Sequence, residues 1–365
     1  MVNMKKSLFL SLVLSVLLLV SCGSPVSRVV RKCGSSSAAY DTLARPYAVF
    51  DFDNTSIEGD ISLAALVHLI ETMDFRLAPD VLYSSFLNCI PEIDRPLEGF
   101  PGKSARMLAT DIYSDYIWLY DNYIKGKKLS LDEIHESPQY KDFRAKLWAL
   151  SAGADATFGS AEVGCLWIMR PFGGMTGEEL TALVREAAGE AMKEKVKTEK
   201  WTSPDSGEAG EVSVEVPRGL RIGKKMLSLF RRLERKGFDV YVCSAASETI
   251  VEALACDPDR FALPADRVFG IRLSSGGYVS PSATCLPGYP VTYGPGKTEL
   301  IRSRIMPGHG GQDPAIVAGD SNGDWDMLTD FPDMKLGLIV DRPAGGKIAE
   351  LKKKGGRRYQ VVNYR

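Results

Sequence analysis

The run from Val49 to Thr55, VFDFDNT, places two carboxylates one residue apart at the end of an apolar segment. Residues i and i+2 of a strand share a face, so Asp51 and Asp53 are expected to project together. Adjacent carboxylates repel each other unless a cation, a shared proton or a reaction intermediate offsets the repulsion. A strand that ends in an Asx-type turn would also explain the pattern, because Asp and Asn are common turn residues. Taken alone, the run favours chemistry only weakly.

The chain after residue 216 has the rhythm of an α/β protein. Short apolar segments at 238–243, 267–273, 315–318 and 335–340 alternate with helical patterns at 220–236, 247–255 and 297–306. Such alternation is typical of strands in a parallel sheet that are connected by helices. With the strand that ends before Asp51, it predicts an α/β fold, a Rossmann-like doubly wound parallel sheet.

Residues 56–215 interrupt this core. They are mainly helical in pattern, with a capping-box signature before the segment 177–198 and a short alternating segment at 211–216. We therefore expect a core of residues 45–55 and 216–365, with a helical cap of residues 56–215 inserted after the first core strand. An insertion at the carboxyl end of a strand is expected over the crevice where α/β sheets bind ligands.

Four segments of the predicted core supply polar groups suited to phosphoryl transfer. The first ends in the two carboxylates, the second in a small hydroxyl, the third carries a glycine-flanked lysine at a helix start, and the fourth delivers two more acids. Carboxylates, a hydroxyl and a lysine at one sheet edge would bind a hard cation beside a phosphate. In chain order these residues are Asp51, Asp53, Ser244, Lys297, Asp320 and Asp324.

The order and spacing of these four motifs resemble the haloacid dehalogenase (HAD) superfamily of phosphatases, over roughly residues 46–55 and 216–345. The resemblance implies that Asp51 is the nucleophile that forms an aspartyl-phosphate. It implies that Asp53 protonates the leaving oxygen and then deprotonates water. Dehalogenases of this superfamily lack an acid at that position, so the phosphatase branch fits better.

The remaining roles also follow from the resemblance. Ser244 and Asn54 would bind the phosphoryl oxygens, and Lys297 would keep Asp51 ionised and neutralise charge in the transition state. Mg²⁺ would be bound by Asp51, the backbone carbonyl of Asp53 and Asp320. Asp324 would support the metal site indirectly, either by contacting the metal ligands or through a bound water.

Several of these assignments have rivals. Ser247 competes with Ser244 but lies three residues beyond the predicted strand end, and Asp326 competes with Asp324. The sequence Gly296-Lys297-Thr298 also matches the end of a P-loop, but that motif needs a glycine where this chain has Val291. The P-loop interpretation is therefore excluded.

The motif context resembles the phosphoserine phosphatase-like branch and, within it, secreted phosphorylcholine phosphatases. The match to phosphoserine phosphatases is incomplete, because Gly323 precedes Asp324 and the expected early acid is either Glu58 or Asp60. Arg170 is our candidate for a cap residue that contacts a substrate anion, with pairing at the surface as the alternative.

The cap is also rich in aromatic residues, and two interpretations remain open for them. A quaternary ammonium group could sit among such rings by cation–π attraction, or the rings could simply form the core of the cap. The rings in question are Tyr113, Tyr116, Trp118, Tyr120, Tyr123, Trp148, Phe158, Trp167, Phe172 and Trp201.

The first residues predict export. Lys5 and Lys6 precede an apolar stretch at 8–20, which is typical of a secretory signal and short for a membrane span. The segment LVSC ending at Cys22 resembles the bacterial lipobox, which implies acylation of Cys22, cleavage before it that removes residues 1–21, and anchoring by lipid. Residues 22–44 are then expected to be a flexible tether, and the protein to be lipid-anchored outside the cytoplasm in the cell envelope of a bacterium.

Composition excludes several other classes. The net charge is −1, without the basic excess that nucleic-acid binding usually requires, so we expect no nucleic-acid partner and membrane contact through the anchor alone. Seven cysteines without a CxxC pair and three histidines without an HExxH pattern predict no zinc site.

The sequence thus predicts a Mg²⁺-dependent hydrolase of small phosphomonoesters, such as phosphocholine or a phosphoserine-like compound. A phosphotransferase of the same family and a catalytically inactive surface-binding lipoprotein are the alternatives. Retention of Asp51, Asp53, Lys297 and Asp320 argues against the inactive scaffold.

Overall fold

The computed structural model describes residues 23–161, 163–274 and 276–363. The predicted signal peptide and Cys22 lie outside these ranges. None of the helices within them is long and apolar enough to cross a membrane. The chain forms two compact units: the first contains the chain up to Glu58, Arg221–Ile271 and Tyr289–Arg365, and the second contains Gly59–Leu220 and Arg272–Gly288.

The first unit is built on a six-stranded sheet in which all paired neighbours are parallel. Its spatial order is β5-β4-β1-β6-β7-β8, so the chain runs outward from a central first strand in both directions. This is the predicted α/β, Rossmann-like doubly wound fold. The strands are β1 (Tyr47–Phe50), β4 (Asp239–Ser247), β5 (Val268–Ile271), β6 (Ile316–Gly319), β7 (Leu336–Val340) and β8 (Tyr359–Val362).

The central strands are apolar because helices cover both faces of the sheet. All residues of β1, β6 and β7 are buried, as is expected for parallel strands without a solvent face. The helices of this unit are Pro25–Cys33, Lys224–Arg235, Glu248–Ala255, Pro295–Leu300, Trp325–Thr329 and Gly346–Lys354. Short 3₁₀ segments lie at Ala265–Arg267, Met306–His309 and Asn322–Asp324, and a π-helical turn lies at Ile301–Ile305.

The second unit is mainly helical, as predicted for the cap. Its helices are Ile61–Thr72, Pro79–Leu87, Ala105–Leu119, Leu131–Glu136, Pro138–Phe158 and Gly177–Ala191, with a π turn at Tyr120–Ile124 and a 3₁₀ segment at Trp167–Phe172. The predicted capping box is present, since Thr176 and Glu179 bond reciprocally. An antiparallel hairpin of β2 (Lys197–Thr202) and β3 (Ser213–Arg218) completes the unit.

The prediction of a flexible tether at residues 22–44 is wrong over the nine residues of a helix. Residues Pro25–Cys33 form a helix that is capped by Ser24. Val26, Val29 and Val30 of this helix are buried, and the helix packs against β7. Their i, i+3, i+4 spacing is the signal of an amphipathic helix, which the surrounding Ser and Gly residues obscured.

The predicted domain boundary also needs correction at residues 272–288, which were assigned to the core. Leu273 and Cys285 form an antiparallel bridge, so the segment folds back on itself. Val279 then pairs with the second unit, since its carbonyl accepts from Gly174 N at 2.9 Å and its amide donates to Met175 O at 2.7 Å. These backbone hydrogen bonds make the segment part of the second unit.

Three further elements differ from the sequence expectation. The helix predicted to reach residue 198 ends at Ala191, and the chain enters β2 at Lys197. The helix predicted at 297–306 is α-helical only to Leu300 and continues as a π turn and a 3₁₀ turn. The last strand, β8, was not predicted, because it follows a lysine- and arginine-rich run that is typical of a solvated turn.

Candidate active site

Asp51 is the first residue after β1 and is fixed by its own backbone. Its amide donates to Ala318 O of β6 at 2.9 Å, and its carbonyl accepts from Ser56 Oγ at 2.6 Å. The chain then turns sharply, with Asn54 in the left-handed region at φ 57°, a conformation that Asn tolerates better than most residues. The residue Asp51 is 6% exposed, whereas Asp53 in the turn is only partly buried.

Lys297 connects Asp51 with a second acid. Its Nζ donates to Asp51 Oδ1 at 2.6 Å and to Asp324 Oδ1 at 2.7 Å, and the residue is 1% exposed. The preceding glycine makes this position possible, because a Cβ on Gly296 would lie 1.7 Å from Val291 O. The glycine flank seen in the sequence is therefore a steric requirement for the turn that places the lysine.

Asp324 is held by the loop that follows β6. Its Oδ2 accepts from the amides of Asp320 and Ser321 and from Ser321 Oγ, each at 3.0 Å. Gly319 makes room for this carboxylate, since a Cβ there would lie 2.4 Å from Asp324 Cβ. With Lys297 on its other oxygen, Asp324 acts as a brace for the loop and the lysine.

Asp320 lies beside these residues and has a donor on each oxygen. Thr55 Oγ1 donates to Oδ1 at 3.0 Å, and Arg342 Nη1 donates to Oδ2 at 2.8 Å. Asp320 is 2% exposed. Neither Thr55 nor Arg342 was identified from the sequence, although Arg342 follows an apolar strand in the same way as the other polar residues of the site.

The donor set suits a hard divalent cation. One carboxylate oxygen from each of Asp51, Asp320 and Asp324 can be chosen so that all three lie within 4.8 Å of one another, and Mg²⁺ prefers oxygen ligands. Among the described residues, no hydrogen-bond donor contacts Asp51 Oδ2. The residues therefore fit a metal ion held mainly by Asp51 and Asp320. A contribution from the carbonyl of Asp53 stays a prediction.

The pKa shifts of the cluster also favour a bound cation. Burial and the neighbouring Asp324 and Asp320 raise the pKa of Asp51 to about 8, although Lys297 opposes the shift. Burial and Asp324 also raise the pKa of Asp320. Burial lowers the pKa of Lys297, but Asp324 and Asp51 outweigh it and raise that pKa overall. Negative charge is in excess here, and a bound divalent cation would stabilise both carboxylates in their ionised form.

Ser244 lies near the carboxyl end of β4 and is 1% exposed. Its carbonyl accepts from Thr292 Oγ1 at 2.6 Å, which ties β4 to the loop that leads to Lys297. Its Oγ accepts from Ala246 N at 3.2 Å. The sequence argument against Ser247 is wrong, because β4 continues to Ser247 with an irregular register after Cys243. Both serines therefore stay candidates for the phosphate contact.

The structure separates the remaining candidates. Asp324 belongs to the carboxylate group and Asp326 does not. Asp60 caps the helix Ile61–Thr72, with Oδ1 accepting from Leu63 N at 2.9 Å, so its carboxylate already has a structural function. The backbone of Glu58 pairs with Arg221. Asp60 therefore serves as a helix cap, and Glu58 stays the candidate for the acid that is expected shortly after the first motif.

Arg170 is not placed as expected. The residue is 4% exposed, and its Nη1 donates to the carbonyls of Ser85 at 2.5 Å and Pro281 at 3.3 Å. Burial lowers the pKa of its guanidinium. Both sequence interpretations, a contact with a substrate anion and pairing at the surface, are therefore replaced by a structural role inside the second unit.

The aromatic residues of the second unit mostly form its core. Tyr116 stacks on Phe143 with ring centroids 5.6 Å apart, and Trp148 meets Trp201 edge to face at 5.8 Å. Five of the candidate rings are buried, which supports the core interpretation for them: Tyr116, Trp148, Trp167, Phe172 and Trp201.

Comparisons with known proteins place the fold. No protein-family model matches this chain, and no curated protein matches it either. A conserved protein of unknown function from Anaerococcus prevotii DSM 20548 has a similar structure over 92% of this chain and 90% of its own, with 28% identity and a TM-score of 0.83. This likeness extends over both units.

Two further solved structures are more distant. A protein of unknown function from Bordetella pertussis Tohama I is 14% identical, with a TM-score of 0.45 over 87% of this chain and 98% of its own. A phosphoserine phosphatase with a phospho-aspartyl intermediate analogue is 11% identical, with a TM-score of 0.39 over 88% of this chain and 93% of its own. With such low scores, neither bears on function.

Proposed function

We propose that the protein is a Mg²⁺-dependent phosphatase of the HAD superfamily that hydrolyses small phosphomonoesters. The observation that carries the proposal is the contact of Lys297 Nζ with both Asp51 and Asp324, at 2.6 and 2.7 Å. These residues come from distant parts of the chain and meet where β1 and β6 end. Three of the four motifs therefore meet in one place, and Ser244 of the remaining motif lies on β4, the strand paired with β1.

In the proposed reaction, a carboxylate oxygen of Asp51 attacks phosphorus and the bond to the leaving alcohol oxygen breaks. Asp53 gives its proton to that oxygen, so the alcohol leaves neutral. Asp53 then removes a proton from water, which attacks the phosphoryl group and releases phosphate and the Asp51 carboxylate. Asp53 lies in the turn two residues after Asp51 and is less buried, as an acid that exchanges protons with solvent requires.

The other residues stabilise charge and keep the reacting groups in position. Lys297 is buried against Asp51, where it stabilises the ionised nucleophile and the negative charge of the transferred group. Ser244 or Ser247, with Asn54, binds the phosphoryl oxygens. A Mg²⁺ ion held by Asp51 and Asp320 would supply Lewis-acid stabilisation of the phosphoryl charge. Asp324 keeps Lys297 and the loop after β6 in place.

The substrate class is proposed from the chain organisation. A second unit inserted after the first core strand favours small metabolites over macromolecules, and phosphocholine or a phosphoserine-like ester fits the resemblance of the motifs. A phosphotransferase of the same family, in which an alcohol accepts the phosphoryl group in place of water, is the second candidate. Product analysis, with free phosphate for hydrolysis and a new ester for transfer, distinguishes the two.

The first experiment measures release of p-nitrophenol from its phosphate ester with Mg²⁺ and with EDTA. We expect turnover that Mg²⁺ supports and EDTA abolishes. Asp320→Asn should lower turnover by about 10²-fold or more, because it removes a metal ligand charge. Asp266→Asn, which changes an exposed aspartate of the same unit, is the matched control and should behave as wild type.

Two outcomes would contradict the proposal. Turnover that EDTA does not affect, or that Asp320→Asn leaves within twofold of wild type, would exclude the metal site. Lack of turnover with phosphocholine, phosphoserine, nucleotides and sugar phosphates under any divalent metal would favour the inactive binding lipoprotein.

We also propose that the protein acts outside the cytoplasm, anchored to a bacterial membrane by lipid on Cys22. The support is the sequence of residues 1–22 alone. Mass spectrometry of the protein isolated from membranes should find Cys22 as the N-terminal residue, with lipid attached. An unmodified Cys22 in that protein would contradict lipidation.

A further inference from the structure

Arg342 gives the proposed metal site a feature that the family motifs do not account for. It follows β7 by two residues, at the same sheet edge as Asp320, because β7 pairs in parallel register with β6. Its Nη1 lies 2.8 Å from Asp320 Oδ2. The positively charged guanidinium of Arg342 thus contacts one oxygen of the carboxylate that the proposed function assigns to Mg²⁺.

The two partners differ in how firmly they are held. The side chain of Asp320 is 3% exposed, whereas that of Arg342 is 42% exposed. Among the described residues, Asp320 Oδ2 is the one hydrogen-bond acceptor for the Arg342 guanidinium. Within the described part of the chain, Arg342 can therefore leave the carboxylate for solvent without giving up any other hydrogen bond of its guanidinium.

Orientation of Asp320 does not depend on Arg342. Thr55 is fully buried and donates its hydroxyl to Asp320 Oδ1 at 3.0 Å, and the loop after β6 is braced by Asp324. Thr55 is neutral, so it fixes the carboxylate without repelling a cation. Arg342 adds a charge, and that charge opposes any cation that approaches Asp320.

We propose that Arg342 competes with the divalent cation for Asp320. The guanidinium neutralises Asp320 while no cation is bound and moves away when one binds, so it sets the cation concentration at which the site fills. The inference rests on the proposed function, because it assigns Asp320 to a metal ion. It makes Arg342 a residue that acts through Asp320 on metal loading.

The test is calorimetric titration of metal-free protein with Mn²⁺, which requires no substrate. Arg342→Gln removes the charge and should tighten Mn²⁺ binding by about tenfold, because a cation no longer opposes the ion. Arg342→Lys keeps the charge and should bind Mn²⁺ within about threefold of wild type. Arg260→Gln is the matched control, since Arg260 forms an ion pair of the same length, 2.8 Å, with Asp257 in the same unit.

Three results would overturn the inference. Unchanged affinity in Arg342→Gln would show that the charge is irrelevant to loading. Weaker binding in Arg342→Gln would show that Arg342 positions Asp320 for the metal instead. Wild-type protein that takes up no Mn²⁺ would remove the metal site itself and the proposed function with it, whereas the first two results leave that function intact.

Discussion

In each unit a buried lysine lies between two aspartates, but the two clusters use their carboxylates differently. In the first unit, Lys297 contacts Asp51 and Asp324. In the second unit, Lys146 is fully buried and donates to Asp111 and Asp142, each at 2.8 Å. By composition alone the two clusters are the same.

In the second cluster, Asp111 and Lys146 form hydrogen bonds with backbone groups of a loop. Asp111 accepts from the amides of Glu208 at 2.8 Å and Ala209 at 2.9 Å, and the third donor of Lys146 reaches Ser206 O at 2.7 Å. These bonds pin the loop between β2 and β3 onto two helices. The cluster therefore replaces backbone hydrogen bonds that the loop cannot make within itself.

The first cluster leaves a carboxylate open. Asp324 is committed to its loop in the same way. Among the described residues, the Asp51 carboxylate receives a hydrogen bond from Lys297 alone, and its pKa is raised to about 8, chiefly by burial. Asp142 Oδ1 of the second cluster also lacks a donor, but it belongs to a pair with Asp115, whereas Asp51 lies among three acids that can hold one cation. The surroundings of the open oxygen, more than the residue types, therefore separate a reactive cluster from a structural one.

The largest expected effect is on turnover in Asp51→Asn. Loss of the nucleophile should lower turnover by about 10⁴-fold or more. The unfolding temperature should stay close to that of wild type or rise, because Asn removes a carboxylate that the folded state disfavours as an ion and Lys297 keeps Asp324. Turnover measured with Mg²⁺ and thermal unfolding measured without metal, on the same preparation, check both halves.

This prediction breaks if Asp51→Asn keeps turnover within tenfold of wild type, since Asp51 would then not form the intermediate. A large loss of stability without metal would instead make the first cluster structural, like the second.

Lys146→Met should have the opposite profile. Removing one partner of a buried charge cluster leaves uncompensated carboxylates and should lower the free energy of unfolding by about 3–5 kcal/mol. Urea denaturation followed by tryptophan fluorescence reports on this unit, because four of the five tryptophans lie in it. Protein that remains folded should keep wild-type affinity for Mn²⁺.

The matched control is Lys141→Met, because Lys141 lies on the same helix and pairs at the surface with Glu136 at 3.0 Å. Little change is expected there, since exposed pairs contribute weakly. If Lys146→Met were no more destabilising than Lys141→Met, the structural role of the second cluster would be excluded.

The smallest expected effect is a change in the pH dependence of stability in Asp115→Asn. Burial, followed by Asp142, raises the pKa of Asp115 to about 8, and Asp111 adds to the shift while Lys146 opposes it. Within the described ranges, Asp115 Oδ2 and Asp142 Oδ1 have no hydrogen-bond donor. The two carboxyl groups interact, and one shared proton would satisfy both. The folded state thus holds this proton more firmly than the unfolded chain does.

The sign follows from linkage. A pKa raised from 3.8 to about 8 gives a contribution to stability that is present at pH 4 and is lost as the pH rises through 8. Asn stays neutral, so Asp115→Asn should gain stability relative to wild type between pH 5 and pH 9. Urea unfolding at both pH values measures this gain. Asp132→Asn, an exposed aspartate of the same unit, should keep the wild-type slope, and an equal slope in Asp115→Asn would contradict the shared proton.

The contrast between the clusters also explains what the sequence could predict. Asp51 and Asp320 follow apolar strands, and parallel strands end at one sheet edge, so these two acids could be grouped from the sequence. Lys297 lies at the start of a helix instead, and it was assigned to the site from its glycine-flanked motif. Lys146 and Asp142 lie four residues apart on a helix, where such pairs are usually solvent-exposed. Their burial depends on a loop some 60 residues away, which no local pattern encodes.

Other features of the structure were not predicted because neighbouring residues hid the pattern or because the partners lie far away in the chain. The helix Pro25–Cys33 was hidden by its Ser- and Gly-rich surroundings, and β8 by the basic residues before it. Arg170 was predicted to contact a substrate anion, but its partners are backbone carbonyls. No sequence pattern reveals such partners. Thr55 and Arg342 donate hydrogen bonds to Asp320, and a single threonine or arginine after a strand carries no motif that would mark it.

The most direct test of the account is to identify the phosphorylated residue during turnover. Protein quenched in acid while it hydrolyses a phosphomonoester with Mg²⁺ is digested, and its peptides are examined by mass spectrometry. We expect one phosphoryl group on the carboxylate of Asp51 in wild type and none there in Asp51→Asn. A phosphoryl group on any other residue of a turning-over enzyme would contradict it.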